Sequence, residues 1–364
     1  MIKDVIQQVI AGGDIGAREM EAVVGDIIDG KTTPGQVGAF MTAMRMKTAT
    51  VDEIVGAVRA LRARVRPLSL GLRMLNMDRD DINFEAETIA AVSDADVRGS
   101  RIFNVSAATA FVAAAGGVRI ARFGNRLMSG FLGTADVLEN LGINLDLSHS
   151  DVERCIRENG VGFMFASAFH STMRHVVKLR REVGIRSIFN FIGPLANPAD
   201  AACHALGVYY ESATEKFARA IRRLGGERAL VFHGDATVDE LSICGPSRLS
   251  FLHDGRIEDL RIEPETYGFA RVEPAALHGG TIRENAAIVR GVLAGEKGPR
   301  RDLVVLNAAA LFWAAGAVDD LRQGIERAAD ILDRGLAADR LAAVAAFTRR
   351  CGAFSLDDIS PAMD

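Results

Sequence analysis

Cysteine is sparse and unpatterned in this chain. Cys155, Cys203, Cys244 and Cys351 lie far apart among 364 residues. That excludes the paired spacings of zinc and redox sites and predicts free thiols in a reducing, cytoplasmic compartment. An apolar leader is missing too: MIKDVIQQVIAGGD carries acidic and polar residues where a secretory signal is apolar. No stretch is long enough to span a membrane. The most apolar one, LVVLNAAALFWAAGAV from Leu303 to Val318, is short and broken by Asn307, so it predicts a buried helix. Basic charge is not in excess either. With a formal net charge of −4 and no basic runs, the chain lacks the positive face on which nucleic-acid binding depends. Membranes therefore drop out as expected partners, and nucleic acid is left as the least expected one.

What is present is the composition of an ordinary soluble enzyme, 49% hydrophobic and 25% charged. The length suffices for one large α/β domain plus a smaller one. Residues 1–70 read as a small all-helical domain. Thr33 and Pro34 predict a helix start, followed by Val37, Phe40, Met41 and Met44 on one face. Thr50 and Glu53 form a capping-box pattern before Ile54, Val55, Val58, Leu61 and Val65, with Pro67 as the stop. From about residue 88 strands, glycines and helices alternate. VSAATAFVAAAGG predicts a helix and VRIARFG a strand; Thr134 opens a short helix. Ser150–Glu153 and Ser212–Glu215 predict two further capping boxes, followed by the strands VGFMFA and RALVFHGD. Asp254-Gly255 predicts a hairpin, and helices run from Thr281 to about Thr348. The expected fold class is α/β: a helical N-terminal domain, then a large α/β substrate domain over 71–348 whose central sheet is mostly parallel and covered by helices. Residues 349–364 are expected to be a tail, and part of 166–190 to join the small domain.

In such sheets ligands sit at the carboxyl ends of strands. Four strand-end segments concentrate polar residues there. RFGNRLMSGFLGTAD carries Asn125, Arg126 and Ser129 in a glycine-lined loop, where turn chemistry competes with anion binding. FASAFHSTMRHVVKLRRE places His170 at a strand end and Arg180 on the next helix; Arg174, Lys178 and Arg181 predict a solvated face. FNFIGPLANPA predicts an apolar turn held by Pro194 and Pro198. HGDATVDELS offers the adjacent carboxylates Asp239 and Glu240, hard oxygen donors that suit Mg²⁺.

Taken together with TADVLENLGINLDL, RREVGIRSIFNFIGPLANPA and AGEKGPRRDLVVLNAAA, these segments resemble the anthranilate phosphoribosyltransferases over nearly the whole chain. The resemblance implies a homodimer built on the small helical domain. It implies Mg²⁺-dependent transfer of phosphoribose from phosphoribosyl pyrophosphate to the nitrogen of a small aromatic acceptor. Carried over by position, Asn104 and Ser106 fall in the family's phosphate-contacting N-x-S segment, and Arg126 and Ser129 join them on the donor side. Asn125, Phe123, His170 and Arg180 match the acceptor side, with Arg180 facing the acceptor carboxylate. Asp239 and Glu240 match the metal-binding pair.

The chain departs from the family's pattern in two places. Where the family has G-T-G-G-D-G, this chain has Asp94, Ala95, Asp96, Val97, Arg98 and Gly99. The lost glycines remove a backbone cradle for pyrophosphate, and two carboxylates repel it. Arg98 and Gly99, with Arg101, are the remaining candidates to meet phosphate. Arg122-Phe123 stands where the family has Lys-His, which implies an altered acceptor pocket. The alternative these departures leave open is a non-catalytic metabolite- or partner-binding protein on the same scaffold.

Overall fold

The computed structural model describes residues 1–65, 67–68, 70, 89–93, 102–124, 134–165, 174–185, 187–199, 201–237 and 239–351. Four helices open the chain: α1 (Ile2–Ile10), α2 (Ala17–Ile28), α3 (Pro34–Lys47) and α4 (Val51–Arg62). The starts of α3 and α4 are the two the sequence predicts. Thr33 and Thr50 each accept from the backbone of the residue three on, and Gln36 and Glu53 return the bond. α4 ends at Arg62, so Val65 lies beyond it.

Glu53 does more than cap. It is fully buried, accepts from the Ile15 amide at 2.9 Å and the Thr50 amide at 2.8 Å, and pairs with Lys47 Nζ at 3.0 Å. Truncation would leave the buried Ile15 amide and the part-buried Thr50 amide without their acceptor, and Lys47 with Asp14, at 2.7 Å, as its remaining carboxylate. Glu53→Ala is expected to cost about 3–5 kcal/mol, read as a fall in the denaturant midpoint at constant m.

The sheet has seven strands: β1 (Ile89–Ser93), β2 (Arg119–Gly124), β3 (Val161–Phe165), β4 (Cys203–Gly207), β5 (Arg228–Gly234), β6 (Ser247–His253) and β7 (Arg256–Ile262). Their spatial order is β3-β2-β1-β4-β5-β6-β7. The first five are mutually parallel, while β6 and β7 run antiparallel at one edge. The β6–β7 turn is the predicted hairpin, with Asp254 at φ 47° and Gly255 at φ 71°. β7 is the edge strand and is mostly exposed, with Arg256, Glu258, Asp259 and Arg261 on its surface side.

Both faces are covered, as the period-two split of β5 shows. Leu230 and Phe232 join the core under α5 (Val105–Ala115) and α12 (Pro299–Ala314); Ala229 and Val231 join the core shared with α1 to α4. Between β2 and β5 lie α6 (Thr134–Asn140), α7 (His149–Asn159), α8 (Arg174–Val183), α9 (Ile188–Leu195) and α10 (Thr214–Arg223). α11 (Ile282–Leu293), α12, α13 (Leu321–Asp333) and α14 (Leu336–Arg350) close the chain. No helix of the described residues is long and apolar enough to cross a membrane. The four cysteines are free, and burial pushes the Cys155 thiol up to about 12.

Three local expectations are corrected. α7 is capped by Ser148, which accepts from Asp151, two residues before the predicted Ser150 box; Ser150 instead bonds the Ser148 hydroxyl. α10 begins at Thr214 behind a 3₁₀ turn, Glu211–Ala213, so Ser212 caps nothing. Residues 188–195 are helical, not a turn, although they contain Pro194. The reason is burial: Ile188, Phe189, Ile192 and Leu195 recur at helical spacing and all face the core. Pro194 removes one backbone donor from the last turn, a loss that burial of the apolar face outweighs.

Candidate functional site

Five parallel strands end at one edge of the sheet, at Ser93, Gly124, Phe165, Gly207 and Gly234. β1 pairs with β2 on one side and β4 on the other, so the winding direction reverses between β1 and β4. That places the expected ligand crevice at this edge. Three of the four candidate segments follow one of these strand ends; the other, residues 189–199, follows a helix and forms most of α9. Arg98, Gly99, Asn125, Arg126, Ser129 and His170 lie outside the described residues. Of Phe123 only the backbone is described, in β2 opposite Ser93 and Met164.

The described donor-side residues form one cluster. Asn104 occupies the N-cap position of α5 but makes no capping bond; its amide donates to Thr134 Oγ1 at 3.2 Å. The first turn of α5 therefore carries no side-chain cap, and its dipole points along the chain toward Asn104. Arg122, in β2, is buried to 2% exposure. Its Nη2 donates to Ser106 Oγ at 3.0 Å and to Thr134 Oγ1 at 3.4 Å. A guanidinium thus braces the starts of α5 and α6 from beneath. An uncapped helix start with a buried cation behind it is an arrangement that attracts phosphate.

The carboxylate pair sits on a tightly seated loop. Asp239 and Glu240 are partly exposed. Their backbone lies directly against Gly207 and Gly234, the last residues of β4 and β5. A Cβ on Gly207 would overlap the Asp239 carbonyl, and one on Gly234 would overlap the Glu240 carbonyl. Thr237 Oγ1 donates to the Glu240 carbonyl at 2.7 Å. Asn307 then clamps the next residue: its Oδ1 accepts from the Leu241 amide at 2.8 Å, and its Nδ2 donates to the Leu241 carbonyl at 2.9 Å. The break in the apolar stretch of α12 is thus the anchor of the acidic loop.

Arg180 of α8, the residue expected to meet the acceptor, is 4% exposed, while Lys178 on the same helix is exposed. The helix packs against α2 and α3. Burial separates Arg180 from the solvated face the sequence predicts for its neighbours. Arg122, Thr134 and Asn307 are the residues that sequence reasoning missed. The signal for two of them was legible, a polar side chain inside an otherwise buried apolar run.

Comparison with known proteins agrees with this geometry. Residues 3–65 match the profile of the helical bundle domain of a glycosyl transferase family, and residues 98–338 match that family's a/b domain. The chain is 44% identical to the anthranilate phosphoribosyltransferase of Trichlorobacter lovleyi, with 96% of this chain and all of the relative covered. It is equally identical to that of Syntrophotalea carbinolica, with 96% and 100% covered. The crystal structure of the Thermus thermophilus enzyme superposes with a TM-score of 0.83 at 36% identity, covering 95% of this chain and 99% of that one. The Saccharomyces cerevisiae enzyme in complex with PRPP and Mg shares the fold at 21% identity, with a TM-score of 0.80 over 96% and 98%. With matches spanning both the helical and the α/β parts, the chain belongs to the anthranilate phosphoribosyltransferase family.

Proposed function

We propose that this protein transfers phosphoribose from phosphoribosyl pyrophosphate to the amine of an aromatic carboxylate, with anthranilate the first acceptor to test. The observation that carries the proposal is the uncapped start of α5 backed by Arg122, at the strand edge where Asp239 and Glu240 also stand. The first turn of α5 binds donor phosphate, and Arg122 holds Ser106 and Thr134 in place beside it. Two adjacent carboxylates match the donor set Mg²⁺ takes when substrate phosphates fill its remaining positions, so Asp239 and Glu240 would hold it. Bound Mg²⁺ supplies charge neutralisation for the departing pyrophosphate. Arg180 fixes the acceptor by its carboxylate so that the amine faces the anomeric carbon. No protein nucleophile is required; positioning and charge stabilisation supply the rate.

Within this proposal, residues 94–99 act as an altered donor loop, with Arg98 and Gly99 as its phosphate contacts and Asn125, Arg126, Ser129 and His170 in their family roles. The acceptor pocket is altered at Phe123. A homodimer through the helical domain accords with Ile10 and Met46, which are exposed on α1 and α3.

Loss of anthranilate fluorescence in the presence of the donor and Mg²⁺ tests the activity. Arg180→Ala is expected to raise the acceptor KM about 10–100-fold through loss of a charge-assisted bond, with donor KM within twofold. An unchanged acceptor KM would place the acceptor carboxylate elsewhere. No turnover, together with no calorimetric heat at millimolar donor, would favour the non-catalytic binding protein.

A further inference from the structure

A cavity of about 290 Å³ lies between the end of α3, the start of α4, the start of α9 and the segment leading into α10. None of Asn104, Ser106, Arg122, Arg180, Asp239 or Glu240 lines it. Its walls are largely apolar, with Ile54, Ile188 and Phe217 among them, and they carry two cations, Arg45 and Lys216. Among the described residues no acidic side chain lines it. Arg45 donates to the Tyr210 hydroxyl and lies over that ring, 5.3 Å from its centroid. Neither Arg45 nor Lys216 has a carboxylate partner among the described residues.

The nearby acids are committed elsewhere. Glu211 pairs with Arg248 at 3.6 Å, Glu215 with Arg219, and Asp52 with Arg223. Two positive charges therefore line this space without a counter-charge among the described residues, an arrangement that an anion complements. The field has a second source. Ser212 and Ala213 precede the start of α10, where no side chain caps the helix.

We propose that this cavity is a second ligand site, for a small carboxylate with an apolar body. The fork of Arg45, flattened on Tyr210, and the Lys216 ammonium meet the carboxylate. Ile54, Ile188 and Phe217 enclose the rest. A phosphate would turn further charged oxygens toward those apolar walls, at a desolvation cost the two cations do not offset. The occupant bridges helices of the N-terminal unit and helices packed on the sheet, so binding raises the stability of both together. The site does not depend on the transferase proposal.

The test uses the full chain carrying Arg180→Ala, which removes the acceptor arginine as a competing carboxylate site. Phenylacetate and benzoate are the probes, benzyl alcohol is the neutral control and inorganic phosphate the bare anion. Either carboxylate at about ten times its Kd is expected to raise Tm by roughly 2 °C, with no shift from the alcohol or from phosphate. Adding Lys216→Glu is expected to weaken binding at least about tenfold, and Lys216→Met to weaken it less, the graded order expected of a charge contact. Equal binding in Lys216→Glu, no shift with either carboxylate at about 20 mM, or an equal shift with phosphate or the alcohol would each overturn the proposal.

Discussion

Replacing Arg122 with Met is expected to lower kcat/KM for the phosphoribosyl donor by about 10²–10³-fold while leaving a folded protein. Met approximates the length of the stem, so packing in β2 is largely kept. What disappears is the cation that bonds Ser106 and Thr134. The hydroxyls at the starts of α5 and α6 lose their common partner, and the donor phosphate loses a positive charge held at 2% exposure, where screening is weak. Arg122→Lys should recover about tenfold of that loss, because charge returns but the two-pronged geometry does not. Steady-state kinetics with varied donor and saturating acceptor, beside a thermal melt, decide the matter. A kcat/KM within threefold of wild type in Arg122→Met would reduce this arginine to a structural brace.

Asn307→Leu should act from a distance on the edge proposed to bind metal. The substitution suits the apolar surroundings of α12 but leaves the amide and carbonyl of Leu241 buried without partners. Stability is expected to fall by about 2–4 kcal/mol. The larger effect is on Asp239 and Glu240, whose loop is seated by this clamp at one end and by Gly207 and Gly234 beneath it. With the clamp gone, the Mg²⁺ concentration for half-maximal rate should rise at least about tenfold. Asn307→Asp provides the control: it restores the acceptor for the Leu241 amide but not the donor to its carbonyl, so it should fall between the two. An unchanged Mg²⁺ requirement in a destabilised Asn307→Leu protein would detach the clamp from metal binding.

Local signals were legible wherever a few adjacent residues decide the outcome. Thr33 with Gln36 and Thr50 with Glu53 are self-contained, since the reciprocal bonds close within one turn. The Asp254-Gly255 hairpin is of the same kind. Signals failed where two local answers competed, as at Ser148 against Ser150, both followed by acids at the right spacing. They failed again at Ile188–Leu195, where two prolines nearby suggested a turn but core burial fixed a helix. At the site, Asn104, Ser106, Arg180, Asp239 and Glu240 were named from the sequence. Their relation to Arg122, Thr134 and Asn307 was not, because it is set by which strands and helices lie side by side. Asn307 was visible only as a polar break in an apolar run; its partner Leu241 is distant in sequence.

The charges on β7 bear on how copies of this chain meet. Because the strand presents arginine and acidic side chains along an exposed border, two molecules aligning there would have to strip water from charged side chains before any backbone bond formed. Lateral growth of the sheet from one molecule into the next is closed off on that side. Fibrillar assembly through this border is thereby disfavoured.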